Sequence, residues 1–419
     1  MSKNVLIVSY SFPPYPGIGG RRWAKFAKYL YRNGYNVNVI SSKNKADENS
    51  QWKTDIEEYS NNIDYIESNY PFYLGINPKT IYEKIRYRFS LQYCKWFTKG
   101  NYYDKSNFWK DNLIEKTKRI IENKNIKNII VTCAPFKMSF YLLEIKSYFP
   151  DINMIADFRD PWTNNLTGYG LENMSQIRIR YEKSIEKKVI NGYDKIIVVA
   201  EEMKIFFLNE YHVNCNKISV IANGFDDEDY KSLSIDNCSF FNHNDKLKIV
   251  FTGTFYDKSI YLLEELVEVI YKNQKIKKNF EFHFFGSFPK QCINLIKLVP
   301  DNIIFHGHVD LSKVYSVIAQ SDYCSLFLTN DINYSLSTKF LEYLSQKKKI
   351  LVFSNGGRTS SFIEENKLGF SINNKKMDDD LLKIIDLDQQ IKTEIDSDFN
   401  IKEYSVFNLT KKVENLLNF

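Results

Sequence analysis

Short apolar segments alternate with amphipathic segments along the first half of the chain. The apolar run Val5–Ser9 is followed by a Pro- and Gly-rich loop, and then by a segment with apolar residues at i, i+3, i+4 and i+7 that ends at Gly34. Such spacing predicts a helix, and short runs rich in Val and Ile predict buried strands. Further strands are predicted at Val37–Ile40, Ile63–Ile66, Asn128–Thr132, Asn153–Asp157 and Lys195–Val199, and further helices at Asn112–Asn123, Phe136–Tyr148 and Gln176–Asn191.

The same alternation begins again after a polar stretch that runs from Asn223 to about Asp245. Strands are predicted at Leu247–Thr252, Phe280–Phe285, Asn302–His306, Tyr323–Leu328, Ile350–Phe353 and Phe370–Ile372. Helices are predicted at Ile260–Tyr271, Pro289–Lys297, Leu311–Ala319, Thr338–Ser345 and Ile401–Leu417. Continuous apolar strands that alternate with helices indicate a parallel sheet covered on both faces.

The two series predict an α/β protein with two Rossmann-like, doubly wound parallel-sheet domains, residues 1–222 and 223–397. Ligands of this fold class bind at the carboxyl ends of the strands. We therefore expect the two sheets to face a cleft there.

Composition supports two cores and gives expectations about the compartment. The 419 residues are 43% hydrophobic and 26% charged, which suits two globular cores. No apolar run approaches the length that spans a bilayer, and the apolar stretch at the N-terminus is too short for a signal peptide. The six cysteines lie far apart without a C-x-x-C pair, as expected of reduced thiols in the cytoplasm.

Positive charge is concentrated between Pro71 and Lys110. This segment holds eight Lys or Arg and two acidic residues, so it carries the whole net charge of +6, and twelve of its residues are aromatic. Lys84, Arg86, Arg88 and Trp96 are typical of this mixture, which suits an anionic membrane surface or an acceptor. Two other interpretations stay open. One is a helical hairpin with its aromatic residues in the core; the other, less favoured because no nucleic-acid-binding motif is present, is nucleic-acid binding.

Three glycines and two arginines follow the first predicted strand. Gly17, Gly19 and Gly20 precede Arg21 and Arg22 at the start of the first helix, where backbone N–H groups can hold an anion. Their spacing does not fit G-x-G-x-x-G, so a dinucleotide site is not indicated. We favour an anion or sugar contact over a turn whose glycines serve only its geometry.

The sequence Asp157-Phe-Arg-Asp-Pro-Trp162 ends a predicted strand on the ligand side of the first domain. Arg159 and Asp160 could orient sugar hydroxyls or stabilise charge at a reacting carbon. Alternatively, a buried ion pair, Asp157 with Arg159 or Arg159 with Asp160, holds the loop. The position at the carboxyl end of a strand favours the functional interpretation.

Two segments of the second domain could bind a phosphate. Gly253 and Thr254 end its first strand and Lys258 follows, although most lysines are only solvated surface residues. The segment Ser337-Thr-Lys-Phe-Leu-Glu342 opens a helix after a strand and a polar loop. There Ser337, Thr338, Lys339 and the helix N-terminus suit phosphate, and Glu342 could accept two hydrogen bonds from a ribose. The alternative is an ordinary capped amphipathic helix. The five histidines show no metal-binding spacing, and no metal is expected.

Five segments, taken in order, resemble the bacterial branch of glycosyltransferase family 4 that serves capsule, O-antigen and exopolysaccharide assembly. They are Val5-Leu-Ile-Val-Ser-Tyr-Ser-Phe-Pro-Pro-Tyr-Pro-Gly-Ile-Gly-Gly-Arg-Arg-Trp23, Asp157-Phe-Arg-Asp-Pro-Trp162, Val220-Ile-Ala-Asn-Gly-Phe-Asp226, Phe251-Thr-Gly-Thr254 and Ser337-Thr-Lys-Phe-Leu-Glu-Tyr-Leu344. The resemblance runs over nearly the whole chain except about residues 45–125.

This resemblance implies a GT-B fold whose first domain holds the acceptor and whose second holds a nucleotide sugar. It also implies that a C-terminal helix, about residues 398–419, packs back on the first domain. Gly19 and Gly20 would approach the donor phosphate or the reacting sugar, and Arg22 would belong to the acceptor side. Lys258 and Lys339 would meet the diphosphate, Glu342 the ribose and the backbone near Val309 the base.

The resemblance further implies a retaining, metal-independent hexosyl or N-acetylhexosaminyl transferase. A UDP-sugar is the favoured donor, and a glycan or lipid-linked oligosaccharide is the expected acceptor. The enzyme would work in the cytoplasm, at the inner face of the membrane, and nucleic acid is not an expected partner.

Two departures from the family pattern affect these expectations. Tyr334 stands where many members have a Glu that touches the donor sugar, and Thr132-Cys-Ala-Pro-Phe136 stands where relatives have a histidine after the fourth strand. Backbone groups or Asp160 would then orient the reacting groups. Arg159 and Gly20 are the other residues expected to take part in catalysis. The alternatives are a catalytically silent GT-B subunit that binds polysaccharide precursors, and a nucleotide-sugar epimerase or hydrolase on the same fold.

Overall fold

The chain forms two compact units. The computed structural model describes residues 3–15, 18–43, 50, 52–164, 169–231, 240–242, 244–299, 301–329, 336–388 and 398–418. The first unit comprises Met1–Ala222 and Val406–Phe419, and the second comprises Asn223–Ser405. The position of Tyr334 and that of Gly17 lie outside the described residues.

Within its described residues, the first unit has a seven-stranded parallel sheet in the order β3-β2-β1-β4-β5-β6-β7. Its strands are β1 Asn4–Val8, β2 Asn36–Ser42, β3 Ile63–Ile66, β4 Asn128–Cys133, β5 Asn153–Phe158, β6 Lys195–Val198 and β7 Ile218–Val220. Its helices are α1 Arg21–Arg32, α2 Ile81–Phe97, α3 Lys110–Lys124, α4 Lys137–Leu142, α5 Ile145–Tyr148, α6 Gln176–Gly192 and α7 Glu201–Tyr211. All residues of β1, β4 and β5 are buried, as expected of parallel strands covered on both faces.

The described part of the second unit holds a six-stranded parallel sheet in the order β10-β9-β8-β11-β12-β13. Its strands are β8 Leu247–Thr254, β9 Phe280–Ser287, β10 Ile303–Gly307, β11 Tyr323–Phe327, β12 Ile350–Ser354 and β13 Gly369–Asn373. Its helices are α8 Glu228–Lys231, α9 Ile260–Lys272, α10 Gln274–Asn279, α11 Lys290–Leu295, α12 Leu311–Gln320, α13 Thr338–Ser345, α14 Arg358–Glu365 and α15 Met377–Asp388. The prediction of two parallel-sheet α/β domains is therefore confirmed.

The end of the chain returns to the first unit as α16, Val406–Glu414. Val406, Leu409 and Val413 join the apolar core beneath α1. The side-chain amides of Asn128 and Asn153 then donate to the carbonyls of residues 418 and 416, at 2.8 and 3.0 Å. These bonds fasten the terminus to the amino ends of β4 and β5.

Two predicted helices differ from the structure, and one strand was not predicted. The predicted helix Phe136–Tyr148 is two short helices, α4 and α5, joined by a turn with i to i+3 hydrogen bonds. The predicted helix Ile401–Leu417 is a 3-10 turn at Ile401–Tyr404, in the second unit, followed by α16. Strand β7 was not predicted, because three residues with a central Ser carry little periodicity.

Candidate functional site

The carboxyl end of β8 brings a lysine against a glycine. Gly253 has φ +101°, and a Cβ on it would lie 2.7 Å from Nζ of Lys339 and 2.6 Å from its Cε. The positive φ favours Gly at this position, and a side chain here would displace the end of the Lys339 side chain. The Lys339 amine also lies 4.6 Å from the ring centroid of Phe251 and 3.4 Å from the Thr254 carbonyl oxygen.

This environment makes the Lys339 amine unusually acidic. Burial lowers its pKa to about 8, and the carboxylate of Glu342, one turn further along α13, opposes that shift. The positive charge of this amine is poorly solvated, and the carboxylate compensates only part of that cost. Binding of an anion next to the amine would therefore stabilise the charged form. The amine is therefore suited to meet a phosphate.

One side chain fixes α13 to the end of β8, and another caps the start of this helix. The phenol of Tyr343 accepts from the Thr252 backbone N–H at 3.0 Å and pairs with its hydroxyl at 3.0 Å, entirely within the core. Ser337 caps the helix, its hydroxyl accepting from the Phe340 N–H at 3.2 Å. Lys339, in the first turn of α13, is thereby held beside Gly253, near the positive end of the helix dipole.

The other residues predicted to bind the nucleotide sugar lie at the same edge of the second sheet. Thr254 ends β8, and the exposed Lys258 follows in the turn Asp257–Ser259. That turn is attached to β11 by the Ser259 hydroxyl, which donates to the Phe327 carbonyl at 3.2 Å. Val309 follows β10, two strands away from β8, which is roughly 10 Å at normal strand spacing. The structure thus groups Gly253, Thr254, Lys339 and Glu342 closely and leaves Val309 further along the edge.

One loop at this edge was missed in the sequence. After β12, Gly356 and Gly357 have φ of +101° and +109°, and the Ser354 hydroxyl accepts from the Gly356 N–H at 3.1 Å. The side-chain amide of Asn355 donates a 3.4 Å hydrogen bond to the hydroxyl of Tyr261, which lies at the start of α9. The pair of glycines between a predicted strand and a helix was the available signal.

In the first unit, Gly20 is packed against the loop that precedes it. A Cβ on Gly20 would lie 2.9 Å from the Ser11 carbonyl oxygen and 3.1 Å from Cα of Phe12. Gly19 is different, since its nearest neighbour would be the Ser11 Cβ at an ordinary 3.5 Å. Gly20 is required by packing, whereas Gly19 has room for a Cβ atom.

Arg159 joins two loops at the carboxyl edge of the first sheet. Its guanidinium donates to the carbonyls of Gly19 at 2.6 Å and Ala134 at 3.1 Å. It therefore positions the glycine loop relative to the loop after β4. Asp160, beside it, accepts a 2.6 Å hydrogen bond from the hydroxyl of Tyr169.

The buried ion pair of this region is Asp157 with Arg22, which corrects the proposed pairing of Asp157 with Arg159. Asp157 is fully buried and accepts from Arg22 at 3.1 Å and from the Trp23 indole at 2.7 Å. Arg22 also donates to the carbonyls of Ile221 and Ala222, and only 7% of its side chain is exposed. Arg22 thus ties α1 to β5 and to the chain after β7, and we leave it out of the acceptor surface.

Buried acids on α6 support the loop that contains Asp160. Glu182 accepts from the Trp162 indole at 2.8 Å, and Glu186 accepts from the backbone N–H of Thr163 at 3.2 Å and from its hydroxyl. Burial raises the pKa of Glu186 to about 7. Both acids share a helix face with the buried Ile185 and Val189, which was the signal for their burial.

Four aromatic residues of α2 lie outside the core, so the interpretation of a hairpin with its aromatic residues in the core is wrong for this helix, although Tyr102 and Trp109 of the same segment are buried. Tyr82, Phe89, Trp96 and Phe97 are 56%, 71%, 74% and 66% exposed. Lys84, Arg86 and Arg88 on the same helix are exposed as well. Among the described residues, no helix has both the length and the apolar character needed to cross a bilayer.

Comparisons with known proteins agree with this architecture. Residues 246–387, which make up most of the second unit, match the model of the family described as Glycosyl transferases group 1. No curated protein matches the chain in sequence.

Solved structures resemble the whole chain. A glycosyltransferase from Rickettsia africae is 17% identical with a TM-score of 0.57, covering 99% of this chain and 98% of its own. TarM of S. aureus, solved with fondaparinux, α-GlcNAc-glycerol and UDP, is 14% identical with a TM-score of 0.58 and full coverage of both chains, 100% and 100%. UDP-GlcNAc 2-epimerase from Methanocaldococcus jannaschii is 11% identical with a TM-score of 0.55, covering 99% of both. At these identities the likeness establishes a shared fold.

Proposed function

We propose that the chain is a glycosyltransferase that moves a hexosyl or N-acetylhexosaminyl group from a nucleotide diphosphate sugar to a glycan acceptor. The observation that carries the proposal is the Lys339 amine, held against Gly253 at the N-terminus of α13, inside the segment that matches the glycosyltransferase group 1 family. A UDP-sugar is the proposed donor, and a lipid-linked acceptor of surface polysaccharide synthesis, reached from the cytoplasm, is the proposed acceptor.

The second unit would hold the donor. Cleavage of the sugar–phosphate bond leaves a nucleoside diphosphate with additional negative charge, which an amine and a helix N-terminus can stabilise. Lys339 and Lys258 would meet the diphosphate with the backbone of Thr254 and Thr338. Glu342 would accept hydrogen bonds from the ribose, and the backbone near Val309 would contact the base. These groups would act without a metal ion.

The first unit would hold the acceptor. Arg159 positions the Gly19–Gly20 turn through a carbonyl, and Asp160, oriented by Tyr169, would accept a hydrogen bond from the acceptor hydroxyl. We propose that the anomeric configuration is retained, with the departing phosphate helping to remove the acceptor proton.

A transfer assay tests this proposal. The purified chain would be incubated with UDP- and GDP-sugars and a bacterial membrane lipid extract. One arm would contain EDTA and the other would not, and mass spectrometry would identify the products. We expect one sugar added to a lipid-linked acceptor, with release of UDP, in both arms. An epimerised or hydrolysed sugar without acceptor would favour the epimerase or hydrolase alternative. Nucleotide binding without turnover would favour a silent subunit.

A further inference from the structure

The helix α2 carries large apolar side chains on the side that faces solvent. Ile81, Ile85, Phe89 and Trp96 are 79%, 48%, 71% and 74% exposed. With about 3.6 residues per turn, these positions share one side of the helix, flanked by the exposed rings of Tyr82 and Tyr93. We call this side the outer face of α2.

The opposite side of α2 is anchored in the first unit. Cys94 is buried there, with Tyr87 and Leu91 partly buried, in a cluster that includes Leu171 and Met174. At the end of the helix, Arg178 donates to the carbonyls of Lys95, Thr98 and Gly100 at 2.5 to 2.9 Å. At the start, Thr80 and Glu83 form a reciprocal capping box. The outer face is therefore presented by a firmly held helix.

Basic side chains border the outer face on both sides. Lys84, Arg88 and Lys95 lie along one edge and Arg86 along the other, by their helical positions. The acid of this helix, Glu83, uses its carboxylate to accept the backbone N–H groups of Lys79 and Thr80 at 2.7 and 2.9 Å. The surrounding segment 71–110 carries the whole net charge of the chain.

We propose that the outer face of α2 docks on an anionic phospholipid bilayer. Ile85, Phe89 and Trp96 enter the boundary between headgroups and acyl chains, and Lys84 and Arg88 contact the phosphates. An apolar stripe between basic edges is the arrangement by which a helix lies in the plane of such a surface.

Charge argues against one other occupant, and the apolar side chains argue against a second. A second copy of the chain, related by a two-fold axis, would set the same positive edges against each other. Nucleic acid would satisfy the basic edges, but it offers no apolar medium for Ile81 and Ile85. The docking proposal involves no step of sugar transfer, so it can fail or succeed independently of the proposed enzyme activity.

The experiment uses the fluorescence of Trp96. The other four tryptophans are at most 7% exposed, which makes Trp96 the residue within reach of a quencher in lipid. The full chain would be titrated with vesicles of neutral lipid, and with vesicles containing anionic phosphatidylglycerol, each with brominated acyl chains. We expect quenching with anionic vesicles, weakened by high salt, and its loss in Trp96→Phe.

Two variants and matched controls complete the test. Lys84→Ser, Arg86→Ser and Arg88→Ser together should weaken binding to anionic vesicles on the order of 100-fold, because each cation near such a surface contributes about a factor of five. Removing the exposed lysines Lys278, Lys297 and Lys313 of the second unit should have little effect beyond the change in net charge.

A second pair of variants tests how much the apolar side chains of the outer face contribute to binding. Phe89→Ser with Ile85→Ser should weaken binding at least 10-fold, whereas Ile293→Ser with Leu298→Ser, 48% and 57% exposed in the second unit, should not. Equal binding of the α2 variants and the parent would overturn the proposal. Two other results would also overturn it. In both, lipid leaves the fluorescence of Trp96 unquenched: in the first the chain forms dimers that the α2 variants abolish, and in the second it binds RNA but not vesicles.

Discussion

Replacing Lys339 with Met should stabilise the protein and weaken its binding of UDP. The pKa of this amine falls from 10.5 to about 8 on folding. Because the unfolded chain holds the proton more tightly, folding at pH 7 carries a cost of about 3 kcal/mol. Below pH 8 both states are protonated and the cost is complete; between pH 8 and 10.5 it disappears. Met fills a similar volume without the charge, so the variant should unfold at a higher temperature at pH 7, by a margin that shrinks towards pH 10.

The effect on binding should have the opposite sign. A hydrogen bond from a charged donor contributes about 1.5 to 3 kcal/mol, which corresponds to a UDP affinity roughly 10- to 150-fold weaker in the variant. Thermal unfolding at several pH values and calorimetry with UDP measure the two effects. Lys297→Met, at an exposed position of the same unit, should change neither.

The two signs together distinguish a functional lysine from a structural one. A residue that costs stability and supports binding is kept for its ligand. If Lys339→Met unfolded at a lower temperature and bound UDP as tightly as the parent, the reasoning about this site would be refuted.

Three further predictions concern other parts of the two units. Glu342→Gln should weaken UDP binding at least 10-fold and remove any preference for UDP over its 2′-deoxy form; calorimetry that finds both unchanged would take Glu342 out of the site. Glu186→Gln should flatten the pH dependence of the free energy of unfolding. In the parent, the Glu186 pKa of about 7 makes the folded state lose about 2 to 3 kcal/mol of stability as the pH rises from 5 to 8. The same pH dependence in urea titrations of variant and parent would contradict this. Gly20→Ala should lower the melting temperature, since its Cβ would meet the Ser11 carbonyl oxygen at 2.9 Å, whereas Gly19→Ala should not. Lost turnover in Gly19→Ala would then report a substrate contact, and unchanged turnover would argue against one.

Much of the fold followed from the sequence because parallel strands are continuous apolar runs. The predicted strand Ile63–Ile66 and helix Thr338–Ser345 have the bounds found in the structure. The break between α4 and α5 could not be predicted, because neither Gly nor Pro marks the turn at Leu143 and Glu144.

The site was less accessible to sequence reasoning, since its contacts join distant positions. Gly253 and Lys339 could each be placed after a strand, but their close approach depends on how Tyr343 seats α13 against Thr252. One alternative interpretation paired Asp157 with the nearby Arg159, whereas its partner in the structure is Arg22 of α1. Ion-pair choice is a tertiary property, which proximity in sequence does not determine.

The orientation of α2 was also beyond the sequence. Its apolar residues occur around most of the helix circumference, so periodicity does not indicate which side is buried. The structure buries the side with Cys94 and exposes the one with Phe89 and Trp96. The segment's composition nevertheless suggested both the basic surface and its aromatic character.

Hydrogen exchange in the presence of UDP tests most directly whether the second unit holds the donor. On addition of UDP, backbone amides at the end of β8, through Lys258, and at the start of α13, from Ser337 to Glu342, should exchange more slowly, and Lys339→Met should reduce that protection. Protection confined to residues of the first unit, or none at saturating UDP, would contradict the account.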